Sequence, residues 1–80
     1  MKFEDMNIVK KMIAKLLNIN EDDIKNDFNL IEAGINSMSF IKLIIDIENY
    51  FSFEFDDEDL DIFKLQSFDN LINYINKRRM

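Results

Sequence analysis

Ser37 is the residue around which chemistry can be organised. It lies in Gly34-Ile35-Asn36-Ser37-Met38, three residues after the single glycine of the chain, and the apolar run Ser39-Phe40-Ile41-Lys42-Leu43-Ile44-Ile45 follows directly. That pattern puts Ser37 at the start of an amphipathic helix. A helix start offers backbone N–H groups without intrahelical partners and the positive end of a dipole, which together hold a phosphate. Other reactive groups are scarce. The chain has no cysteine and no histidine, which removes disulfides, thiol nucleophiles, imidazole bases and the usual zinc ligands. Serine activation needs a base in reach, and Lys42 is the only lysine near the motif. The acids Glu21, Asp22 and Asp23 have no apolar context to shift their titration and read as a solvated turn. The run Asp57-Glu58-Asp59-Leu60-Asp61 opens like a calcium-binding EF-hand loop. It has Ile62 where that loop needs glycine and Phe68 where it needs glutamate, so no such site is expected.

The elements that must position Ser37 follow from composition and spacing. Eighty residues make one domain, spanning 1–80, with a small core. A hydrophobic share of 48% argues against wholesale disorder, and one glycine with no proline favours helices over a turn-rich β-fold. Ile8, Val9, Met12, Ile13, Leu16 and Leu17 recur at helical spacing and predict a first helix over roughly 4–17. A long loop follows from Asn18 to Asn36, with Ile19, Ile24, Phe28, Leu30, Ile31 and Ile35 pinning it to the core. The second helix runs from Ser37 to Tyr50 or Phe51, with Asn36 as its N-cap. Phe51-Ser52-Phe53-Glu54-Phe55 alternates like a strand but has none to pair with, so it reads as an extended connector. Asp56 to Asp59 then lead into a short third helix at Leu60-Asp61-Ile62-Phe63. Ser67 caps a last helix striped by Phe68, Leu71, Ile72 and Ile75 and closed by Lys77-Arg78-Arg79.

The second helix has an apolar stripe to spare. Phe40, Leu43, Ile44, Ile47 and Phe51 make one face, the core face. Met38, Ile41 and Ile45 make another, well removed from it. Either a neighbouring loop covers this second stripe, or it stays partly exposed beside Ser37 and docks partners.

The formal charge of −6, from 10 basic against 16 acidic residues, argues against nucleic-acid or anionic-membrane binding and for basic partner surfaces. No apolar run is long enough for a bilayer, and Met1-Lys2-Phe3-Glu4-Asp5 is too acidic to open a secretory signal. A cytoplasmic location is expected.

The residues resemble the phosphopantetheine-binding carrier proteins, the acyl and peptidyl carriers, whose hallmark is Gly-x-Asp-Ser-Leu at the start of the second of four helices. The similarity extends to Phe28-Asn29-Leu30, Phe51, the acidic run from Asp56 to Asp59 and the stretch from Phe68 to Ile75. It implies an all-α, four-helix acyl-carrier-protein-like bundle with a long first loop and a short third helix. It also implies that the chain is not an enzyme. Ser37, flanked by Gly34 and Asn36, would carry a 4′-phosphopantetheine arm delivered from coenzyme A by a separate magnesium-dependent phosphopantetheinyl transferase. The arm's thiol would hold an acyl or aminoacyl group as a thioester. The partners implied are that transferase, an acyl- or aminoacyl-loading enzyme and downstream biosynthetic enzymes, met by a monomer through Met38, Ile41, Lys42 and Ile45.

Three positions depart from the family pattern. Asn36 stands for aspartate, keeping the cap and losing a charge, and Met38 stands for leucine at similar volume. Lys42 occupies a position that is acidic in fatty-acid synthase carriers. That tilts the reading from primary fatty-acid synthesis toward nonribosomal peptide, polyketide or related small-molecule assembly. From Met1 to just past the last helix the chain reads as a free-standing carrier, an excised domain being the other possibility. The competing functional class is a helical interaction domain that uses Met38, Ile41 and Ile45 without any prosthetic group.

Overall fold

In a computed structural model, residues 3–79 are described. Three helices, α1 (Phe3–Leu17), α2 (Ser37–Phe51) and α3 (Phe68–Arg79), are joined by connections that carry two single 3-10 turns, Glu21–Asp23 and Asp57–Asp59. No strand occurs among the described residues; one isolated antiparallel bridge pairs Asn29 with Ser67.

Each helix forms where its apolar spacing and end charges agree. α1 has Glu4 and Asp5 in its first turn and Lys15 in its last, matching the dipole. Val9 and Ile13 are fully buried. Ile8, Met12, Leu16 and Leu17 of the same stripe are only partly covered. α2 buries Phe40, Leu43, Ile44, Ile47 and Phe51, the face expected from their spacing. Each such side chain contributes about 1.5–3 kcal/mol of transfer free energy. α3 adds Phe68, Leu71, Ile72 and Ile75. Its first turn is capped by Ser67, whose Oγ accepts the Asn70 N–H at 3.1 Å.

The connection from 18 to 36 is pinned as expected by Ile24, Leu30 and Ile35, all buried, with Phe28 and Ile31 half-buried. Ile19 is a correction: it lies at the surface. The Glu21–Asp23 turn forms because the Asn20 side chain accepts the Asp22 N–H at 2.9 Å. Farther on, the chain is stitched to the start of α3. The Leu30 N–H donates to the Gln66 carbonyl at 2.7 Å, and the Phe68 N–H donates to the Phe28 carbonyl at 2.9 Å.

The short third helix at Leu60–Phe63 is a second correction, and the described residues form three helices where four were expected. The acidic run closes one 3-10 turn, and Leu60 then leaves helical geometry at φ −79°, ψ 63°. Asp61 completes the break, because its Oδ1 takes the Phe63 N–H at 2.9 Å in a local turn that competes with a helical ladder. The segment is held from outside instead. Phe55 stacks on Tyr74 at 4.9 Å, and the Tyr74 hydroxyl donates to Asp59 at 2.9 Å. Arg78 reaches Asp56 through two contacts of 2.9 and 3.0 Å. No helix among the described residues is long and apolar enough to cross a membrane.

Candidate functional site

The entry to α2 is built from Gly34, Asn36 and Ser39. Gly34 has φ +113°, a conformation that a Cβ disfavours. An added Cβ would meet only Leu17 Cδ2, at 3.8 Å, so it is the backbone angle and not lack of space that calls for glycine. The turn closes through the Gly34 N–H to the Ile31 carbonyl at 3.0 Å and the Ile35 N–H to the Leu30 carbonyl at 2.9 Å. Ile35, buried, nails this turn to the core.

Asn36 then caps the helix. Its Oδ1 accepts the Ser39 N–H at 3.0 Å, while the Asn36 N–H donates to Ser39 Oγ at 2.9 Å, a reciprocal capping box. The first helical bond runs from the Phe40 N–H to the Asn36 carbonyl at 2.8 Å. Ser37 and Met38 therefore sit in the first turn with their N–H groups unclaimed among the described residues. Ser37 is exposed. Its hydroxyl makes no hydrogen bond among the described residues, and none of them stands ready to draw off its proton. An exposed hydroxyl, two open N–H donors and the positive dipole end fit a phosphodiester on Ser37. The contribution of Ser39 escaped the sequence reading, because a capping box is usually sought as a glutamate or glutamine three residues after the cap.

The second stripe of α2 is open, with no neighbouring loop covering it. Met38 is 84% exposed, Ile41 46% and Ile45 48%. Lys42 is exposed on the flank of α2 that faces α1. On the other flank a groove of about 340 Å³ opens beside Ser37, between Phe40 and Ile41 of α2 and Leu60, Ile62 and Phe63 of the connection. Phe63 is 70% exposed. The sequence reading had placed Leu60, Ile62 and Phe63 on a helix and gave them no part in the site. An aromatic beside two aliphatics in an acidic run was the available signal.

The family model described as "Phosphopantetheine attachment site" matches residues 7–75. The chain is 35% identical over 71 residues to the acyl carrier protein of Buchnera aphidicola subsp. Schizaphis graminum (strain Sg), covering 88% of this chain and 87% of that relative.

Proposed function

Because the chain belongs to the phosphopantetheine attachment-site family, a family of carriers and not of catalysts whose prosthetic group is 4′-phosphopantetheine, we propose that Ser37 is its attachment residue. The observation that carries this is the helix start: the cap is made by Asn36 and Ser39, which leaves the Ser37 hydroxyl exposed and free. Ser37 Oγ would take the phosphoryl ester, and the first-turn N–H groups of Ser37 and Met38 face the charge that arrives with it. When bound, the group supplies a thiol on a flexible tether that holds its load as a thioester. Tethering raises the local concentration of that load at a docked enzyme, so a weak, brief interface suffices.

On this reading residues 1–80 form one carrier domain that acts in the cytoplasm as a monomer. The open strip of Met38, Ile41 and Ile45, with Lys42 beside it, meets the phosphopantetheinyl transferase, the loading enzyme and later biosynthetic enzymes. The load is an acyl or aminoacyl group, and the name of the relative favours acyl. Lys42 supports a pathway of small-molecule assembly, such as nonribosomal peptide or polyketide synthesis. The identity to an acyl carrier protein keeps primary fatty-acid synthesis as the second reading. The Phe40–Phe63 groove is open to an apolar part of the load.

The test is incubation with coenzyme A, magnesium and a promiscuous phosphopantetheinyl transferase, followed by intact mass. The unmutated chain should gain one arm and Ser37→Ala none. No gain on the unmutated chain would return the molecule to the interaction-domain class.

A further inference from the structure

We infer that the groove between α1 and α2 is a second docking surface, which adjoins the Ser37 strip at Lys42 and is suited to an acidic amphipathic helix of a partner protein. The groove encloses about 650 Å³ and has Met12 and Leu16 of α1 for its apolar floor. Lys15 rims it from α1, and Lys42, Asp46, Asn49 and Tyr50 wall it from α2. The wall covers two turns of α2, roughly 12 Å of helix at 1.5 Å per residue. The five rim and wall residues are exposed while the floor is half-buried, so the cleft is an open trough that does not close over a small ligand. A trough between two helices seats a third helix.

Charge selects which helix. Arg78 pairs with Asp56, whereas Lys15 and Lys42 face the groove with no carboxylate in ion-pair range among the described residues, in a chain of net charge −6. Asp46 stands four residues after Lys42, the weaker order for a helical pair, and with two lysines to one aspartate the lining is net positive. Tyr50 is 55% exposed, yet its ring is held edge-on against Phe51 at 4.9 Å, a preordered aromatic anchor. The surface is independent of any group on Ser37.

The experiment uses the full Ser37→Ala chain, which keeps any arm out of the measurement, and two synthetic helices on one Leu/Ala scaffold with Glu or Lys on the polar face. Titrations are followed by residue-resolved amide shifts. The acidic helix should saturate with shifts at Met12, Leu16, Asn49 and Tyr50, and should weaken about tenfold in Lys15→Glu/Lys42→Glu. Tyr50→Ala, which alters no charge, should weaken it as well. The inference is overturned if the acidic helix gives no saturable shift or shifts centred on Ile41 and Ile45. It is equally overturned if binding survives both variants, or if the basic helix prefers the groove.

Discussion

Two serines open two helices in this molecule, and they are put to opposite uses. Ser67 precedes α3, spends its Oγ on the Asn70 N–H, and pairs through its backbone with Asn29 while half-buried. Ser37 opens α2 in the same kind of field, yet it is exposed and its hydroxyl is unspent. The difference lies in one neighbour. Asn36 takes the capping position ahead of Ser37, whereas Gln66 ahead of Ser67 makes no cap and Ser67 does the work itself. A serine one position inside the cap is free for chemistry; a serine at the cap is structural.

The largest effect that could break this contrast is all or none. Ser37→Ala should abolish arm transfer with melting unchanged, while Ser67→Ala should load fully and lose about 1 kcal/mol of stability. Intact mass and thermal melts on both variants decide it, and loading of Ser37→Ala would end the distinction. Next in size, Asn36→Ala should cost about 1 kcal/mol by chemical denaturation. Adding Ser39→Ala should then cost much less than it does alone, because the two halves of the box fail together. Asn36→Asp should raise the stability of the unmodified chain by about 0.3–1 kcal/mol, through a negative charge at the positive helix end. That gain should shrink once a phosphodiester occupies Ser37, and an equal gain in both forms would place the arm's charge elsewhere.

The smallest effect sharpens the α3 side. The Tyr74 phenol is held above its ordinary value of 10, mainly by burial and also by the Asp59 carboxylate that accepts its proton, while the Asp56 N–H and Arg78 pull the other way. A raised folded value means that this contribution is fully present below pH 10 and is lost as pH climbs through the folded pKa. In Tyr50→Phe, where Tyr74 is the remaining tyrosine, phenolate absorbance should rise at higher pH in the folded chain than in urea. Asp59→Asn should narrow the gap.

What the sequence made legible was local. Helical spacing located α1 and α2 to within a residue, Asn36 announced the cap, and the surplus stripe of Met38, Ile41 and Ile45 proved exposed. Long-range arrangements were not legible. Phe28 and Leu30 read as apolar pins, but nothing local shows that their backbone bonds to residues 66 and 68. The expected helix at Leu60–Phe63 failed because acids ahead of an apolar pair suit a helix start as well as an acidic turn. The choice was made by Asp61's own side chain and by Tyr74 and Arg78, distant in sequence. The groove beside Ser37 followed from that same choice.

The stitching of residues 28–30 to 66–68 also sets a clock. Leu30 and Phe68 are themselves buried, so their amide protons are expected to leave only when α3 detaches from the rest of the fold. The Ile35 amide, bonded to the Leu30 carbonyl under a buried side chain, is expected to be protected as well. Two residues later the open amides of Ser37 and Met38 should trade deuterium at nearly the rate of free peptide. A slow and a fast exchanger are thus expected to meet across Asn36, a rigid socket ending in an unencumbered rim.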